Sequence, residues 1–223
     1  MSEELKSNEA ERELSPELVK EVEDSFFGSV ISDPRGGTVD KINILLVASG
    51  LKPASDLRMV VREEDGMNGG MIELSDEEIN SNLVILDKLG LFHAEKRRIE
   101  KSKWKKGAKK RVTENEEMEI LIGHTQADLD NLIKAWDTKD DRAKGHALGF
   151  SPTAVEAYCR NEKPLDVSIL PDEVVLSEVM AFNPGVLSTD HWREELEYYG
   201  KWSDYVKKVS PNLHNTLTSI KPL

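Results

Sequence analysis

The chain has 223 residues, of which 38% are apolar and 32% charged, and its formal net charge is −12. This length fits one domain or two small ones, and the composition is typical of a soluble acidic protein. No apolar run approaches the roughly 20 residues that span a bilayer, and no basic and then apolar segment opens the chain, so we expect a cytoplasmic protein with no membrane partner. The single cysteine, Cys159, excludes an internal disulfide and a multi-cysteine metal site.

Residues 1–24 form an acidic tail and a first helix. They contain nine acidic and three basic side chains. We expect the tail to fray up to about Glu13, and the run Ser15–Glu17 predicts the start of a short amphipathic helix. The adjacent Phe26 and Phe27 are predicted to dock this helix on the rest of the protein.

Residues 25–118 are predicted to form a mainly helical half that carries a basic hairpin. Proline and two glycines predict a loop over residues 32–37, followed by an apolar, central helix capped by Thr38. Ser75 and Glu78 have the spacing of a capping box and predict a second helix. The next segment predicts two strands, Phe92–Ile99 and Lys109–Thr113, around a lysine-rich turn.

The strongest chemical signal is the charge of this hairpin. Between Lys96 and Arg111 there are ten basic side chains and one acidic one, which gives +9 and leaves −21 on the other 207 residues. A basic hairpin on an acidic protein favours contact with phosphate, and an aromatic ring within it can stack on a base. The candidate contacts are Lys103, Trp104, Lys105, Lys106, Lys109, Lys110 and Arg111.

Two interpretations of this region remain open. The pattern over residues 38–113 resembles a winged helix, although the helix over Ser75–Leu89 carries four acidic side chains that would repel DNA. Alternatively, the hairpin is structural: its lysines protect an edge strand, or it folds back on the acidic body.

Residues 119–223 are predicted to form a second helical half, although one compact domain for the whole chain remains an alternative. A short strand over Glu119–Ile122 precedes a helix that starts at Thr125 or Asp128, and a charged link over Asp137–Lys144 follows. Farther along, we expect a non-helical connection, a helix over Glu173–Met180, a long amphipathic helix after Ser188 and a short helix from Ser210. The aromatic residues between Trp192 and Tyr205 indicate either core packing or a protein interface.

A turn and a helix start coincide near the middle of this half. Gly149 permits a backbone conformation that other residues disfavour, and Ser151 followed by Pro152 is typical of an N-cap with proline at the first helical position. The helix from Pro152 presents an apolar stripe that includes Val155 and Tyr158.

The side chains around this helix start are the weaker candidates for chemistry. Ser151 and Thr153 are predicted to hold an anion at the helix N-terminus, and His146 is the candidate general base of a small hydrolase or transferase. Cys159 has no evident activating base and is interpreted as a packed thiol.

Leu148–Tyr158 also resembles the leucine-glycine-aromatic-proline box of small uncharacterised soluble proteins from archaea and bacteria. The resemblance covers roughly residues 119–160 and includes the strand Glu119–Gly123. In this chain the proline comes one position later, and Thr153 and Ala154 stand where that pattern has cysteines. The resemblance therefore implies neither cysteine chemistry nor any other activity.

The sequence as a whole predicts an α+β protein, predominantly helical, with a small antiparallel hairpin sheet. The five histidines are scattered, and no glycine-rich loop precedes a lysine-serine pair, so we expect neither a metal site nor a cofactor. The most favoured function is a binding or interaction module without catalysis, with a protein or nucleic acid as its partner. Non-sequence-specific nucleic-acid binding through residues 96–111 and catalysis by His146 are the alternatives.

Overall fold

The computed structural model describes residues 12–28, 34–64, 71–106, 109–163, 165–183 and 187–219. The helices in these ranges are α1 Pro16–Asp24, α2 Pro34–Ala48, α3 Asp76–Lys88, α4 Gln126–Thr138, α5 Asp141–Ala147, α6 Pro152–Cys159, α7 Asp172–Val175, α8 Trp192–Val209 and α9 Pro211–Ser219, with short 3₁₀ helices at Val167–Ile169 and Glu178–Phe182. The strands are β1 Ala54–Glu64, β2 Met71–Glu73, β3 Phe92–Lys106 and β4 Lys109–Gly123. The predicted α+β class, with more helix than strand, is confirmed. Within the described ranges, no helix is both long and apolar enough to cross a membrane.

The strands form one antiparallel sheet in the order β2-β1-β4-β3. The predicted arm Lys109–Thr113 and the predicted short strand Glu119–Ile122 are two parts of β4, because residues 114–118 continue the same ladder with β3. The boundary drawn between residues 118 and 119 therefore lies inside one strand.

One predicted loop, one predicted link and one predicted helix differ from the structure. The loop predicted over residues 32–37 is largely the first turn of α2, which begins at Pro34, so Thr38 lies inside the helix rather than at its cap. Proline fits the first helical position because its missing N–H has no partner there in any case. The predicted link Asp137–Lys144 contains the start of α5, capped by Asp140, whose side chain accepts two backbone N–H groups. The helix predicted over Glu173–Met180 is interrupted between α7 and the following 3₁₀ helix.

The N-terminal segment is anchored earlier than predicted. Arg12 donates its backbone N–H to the carbonyl of Ser49 and its guanidinium to the carbonyl of Leu89, at 3.2 and 2.8 Å. Leu14 is buried, so the expected fraying up to Glu13 does not hold from Arg12 onward. Of the phenylalanine pair, Phe27 is fully buried and Phe26 is 42% exposed.

The main core is shared by elements from both halves of the chain. Most of its buried side chains come from α1, α2, β1, α3, β4, α8 and α9. Tyr199, Trp202 and Tyr205 of α8 belong to this core, and Trp202 is only 4% exposed. These three aromatic side chains of α8 are therefore core residues, and they are not exposed to contact a protein partner.

Candidate functional site

The candidate site is a two-stranded ribbon that continues the sheet beyond β1. Followed from Gly123 back toward Lys109, β4 pairs with β1 as far as Glu116, which stands opposite Arg62. Past that point β3 and β4 pair only with each other, in seven pairs from Glu100↔Asn115 to Lys106↔Lys109. At about 3.4 Å per residue, this ribbon extends roughly 24 Å beyond the last β1 partner.

Basic residues of β3 just before the ribbon, which we call its base, have acidic partners. Lys96 and Arg98 stand opposite Glu119 and Glu117 in the register of β3 and β4. Arg97 lies 3.4 Å from Glu116 and 3.6 Å from Asp76 in α3. The structural interpretation, in which the hairpin folds back on acidic groups, therefore describes its first residues.

The outer residues of the ribbon have the opposite pattern. Lys105 stands opposite Lys110, and Lys106 stands opposite Lys109. The remaining candidates are placed on the same strands, with Trp104 opposite Arg111 and Lys103 opposite Val112. The register thus brings all seven predicted phosphate-binding residues together on one ribbon and separates them from the acidic partners near its base.

The second predicted site, around Gly149, is a packed joint. Gly149 has φ +72°, as predicted, and a Cβ atom there would lie 2.6 Å from Cδ of Pro53. Tyr198 donates its hydroxyl to the carbonyl of Gly149 at 3.0 Å, and the N–H of Ser151 donates to the hydroxyl of Tyr199 at 3.2 Å. Burial raises the pKa of Tyr199 to about 12, so its hydroxyl stays protonated in this contact.

Replacing Gly149 with alanine is expected to lower the free energy of unfolding by about 2–3 kcal/mol, because left-handed strain and a clash with a rigid ring add together. Gly50→Ala is the matched control. Gly50 has φ +82°, but its Cβ atom would meet His124 at an ordinary 3.5 Å. Urea denaturation of both variants separates the two contributions, and equal losses would show that the contact with Pro53 costs nothing.

The side chain of Thr153, in the first turn of α6, donates a hydrogen bond to a carboxylate of the chain itself. Glu195 of α8 is fully buried, and its carboxylate accepts hydrogen bonds from the Thr153 hydroxyl at 2.9 Å and from the backbone N–H and hydroxyl of Ser188 at 2.8 and 2.6 Å. Since Thr153 has one hydroxyl proton, Ser151 donates to Thr153 in the 2.8 Å contact between them. The hydroxyl protons of Ser151 and Thr153 are thus used in hydrogen bonds within the chain, and the predicted binding of an external anion by these two side chains stays a prediction.

His146 lies apart from this carboxylate, exposed on a cleft that Asp128, Lys134 and Asp140 also line. Asp128 accepts the backbone N–H of Thr125, and Asp140 accepts those of Arg142 and Ala143. Both carboxylates therefore cap helices rather than orient the imidazole. Among the described residues, no carboxylate is hydrogen-bonded to the His146 imidazole to activate it as a general base.

The sequence pattern gave no sign of Lys52, a buried cation at the same joint. Its ammonium donates to the side chains of Asn43 at 2.8 Å and Ser55 at 3.2 Å, and lies 5.5 and 5.9 Å from the ring centres of Trp202 and Phe150. Burial lowers the pKa of Lys52 to about 8. The aromatic rings and the two acceptors hold β1, α2 and α8 around one charge, so we interpret Lys52 as structural.

No three His, Cys, Asp or Glu side chains among the described residues are grouped as ligands for a metal ion. Cys159 is a free, partly buried thiol. No family model, no curated protein and no solved structure matches this chain. Its function therefore has to be inferred from its own residues.

Proposed function

We propose that this protein acts by binding rather than by catalysis, and that it binds nucleic acid through the β3–β4 ribbon without reading base sequence. We also propose that it does so in the cytoplasm, in agreement with its single cysteine. The observation that carries the proposal is the change of charge pairing along the ribbon, from opposite charges at its base to like charges at its outer end.

Like charges directly opposite each other destabilise a strand pair. The pairs Lys105↔Lys110 and Lys106↔Lys109 therefore destabilise the isolated protein. The pair Lys96↔Glu119 at the base of the ribbon has opposite charges and does not. A polyanion placed between or along these lysines replaces repulsion by attraction. Nucleic-acid phosphate is the polyanion with the regular spacing that a row of lysines can follow.

The shape of the ribbon supports the same ligand. The major groove of B-DNA, about 12 Å wide, admits a two-stranded β-ribbon, and extended basic strands can equally follow a single-stranded backbone. Because the residues outside Lys96–Arg111 sum to −21, the rest of the protein is repelled by phosphate. We therefore place the contacts on the ribbon alone.

The acidic helix α3 is excluded from this role. Its first turn contains Asp76, Glu77 and Glu78, and all three are exposed. Glu78 closes the capping box with Ser75, which is confirmed by both hydrogen bonds. A helix with this first turn would repel a phosphate backbone, so the resemblance to a winged helix does not extend to groove binding by α3.

The proposal is tested by fluorescence anisotropy of labelled DNA and RNA, each as single strand and duplex, titrated with the protein at about 50 and 200 mM salt. We expect binding at the lower salt that weakens steeply at the higher one, with little difference between two DNA sequences of equal length. Absence of binding to every probe at the lower salt would contradict the proposed function.

A further inference from the structure

A second region of the protein has the features of a small-molecule site. A pocket of about 290 Å³ lies between α5, α6 and α8, at the small end of the range of ligand pockets. Its wall is mostly apolar and includes Leu148, Phe150, Val155 and Tyr199. A ligand seated there would bury its apolar part against the rings of Phe150, Tyr158 and Tyr199.

Two opposite charges stand on the wall of this pocket. The ammonium of Lys144 and a carboxylate oxygen of Asp141 are 3.9 Å apart, which is close enough to neutralise each other but too long for a hydrogen bond. The ammonium also lies 5.2 Å from the ring centre of Trp136. The Lys144 ammonium and the Asp141 carboxylate therefore can each still hydrogen-bond a ligand that carries both charges.

We propose that this pocket binds a small zwitterion with an apolar side chain, which is the chemistry of a free hydrophobic amino acid. Asp141 receives the ligand ammonium, Lys144 receives its carboxylate, and the apolar wall receives its side chain. This pocket is separate from the ribbon, and its occupation does not depend on nucleic-acid binding.

The probe is L-phenylalanine, titrated into the full chain by isothermal calorimetry. Two analogues are the comparison: 3-phenylpropanoate lacks the ammonium group, and phenethylamine lacks the carboxylate. We expect L-phenylalanine to bind at least about tenfold more tightly than either analogue, because each analogue leaves one charge of the pocket without its hydrogen-bonded partner.

Three substitutions define the site. Asp141→Asn and Lys144→Gln are each expected to weaken L-phenylalanine binding at least about tenfold, and Ala154→Leu, which fills the pocket, to abolish it. The matched controls change the same residue types elsewhere. They are Asp204→Asn and Lys201→Gln on the exposed surface of α8, and Ala157→Leu on α6 away from the pocket wall.

Equal affinity for L-phenylalanine and its two analogues would overturn the proposal, as would unchanged affinity in the Asp141 and Lys144 variants. Failure to detect L-phenylalanine binding with a dissociation constant below about 10 mM would also overturn the proposal. Circular dichroism of each variant shows whether it keeps the fold of the wild type, so that a loss of affinity is not mistaken for unfolding. If Ala154→Leu fails to fold, the conservative Lys144→Gln variant still tests the site.

Discussion

Replacing Lys105, Lys106, Lys109 and Lys110 together with glutamine is expected to lower nucleic-acid affinity about a thousandfold at 0.15 M salt. The estimate follows from counterion release: each lost phosphate contact removes about 0.9 from the slope of log affinity against log salt, and four contacts remove about 3.6. The measurement is anisotropy with the probes that bind the wild type.

The same variant is expected to unfold no more easily than the wild type. The substitution removes the like-charge pairs Lys105↔Lys110 and Lys106↔Lys109, so it relieves repulsion while it abolishes binding. A function lost without any loss of stability distinguishes a binding surface from a structural element. Urea denaturation of both proteins provides this second readout.

The control has the same change in net charge at positions away from the ribbon. Glutamine replaces Lys134, Lys163, Lys201 and Lys208, which are all exposed. We expect this control to bind nearly as tightly as the wild type. If it loses as much affinity as the ribbon variant, binding reflects overall charge, and the ribbon is not the site.

The largest expected effect on stability belongs to Glu195→Ala, about 3–5 kcal/mol. The substitution leaves two buried donors, the N–H and hydroxyl of Ser188, and the partly buried hydroxyl of Thr153 without their acceptor, and each unsatisfied buried donor costs about 1–3 kcal/mol. It also removes one of the hydrogen bonds that join α8 to the start of α6. The free energy of unfolding in urea measures the loss.

Glu195→Gln keeps the side-chain volume and one acceptor oxygen. We therefore expect it to lower the free energy of unfolding by less than Glu195→Ala does. Glu194→Gln is the matched control, because the Glu194 side chain is exposed and its ion-pair partner among the described residues is His191, at 3.3 Å. Such surface pairs contribute less than about 1 kcal/mol. A loss below about 1 kcal/mol for Glu195→Ala would mean that the buried hydrogen bonds contribute little net stability.

Local features were predictable because their signals lie within a few residues. The capping box of Ser75 and Glu78, the left-handed backbone at Gly149 and the helix start after Ser210 depend on neighbouring residues only, and the structure confirms them. The start of α2 was missed because proline and glycine usually end helices, whereas here Pro34 occupies the position where a helix tolerates it.

Long-range partners could not be predicted. The carboxylate that accepts the Thr153 hydroxyl comes from Glu195, 42 residues farther along the chain, and Lys52 meets the rings of Phe150 and Trp202 across still larger separations. Composition located the basic hairpin, but only the strand register separates the acid-paired base from the outer lysines. Charge counting alone cannot make that distinction.

The most direct test of the central claim is the slope of log affinity against log salt for the wild type and the four-lysine ribbon variant, measured with one duplex DNA. We predict a steep slope for the wild type and a slope shallower by about 3–4 for the variant, with the control at Lys134, Lys163, Lys201 and Lys208 close to the wild type. Identical slopes for all three proteins would contradict the assignment of nucleic-acid binding to the ribbon.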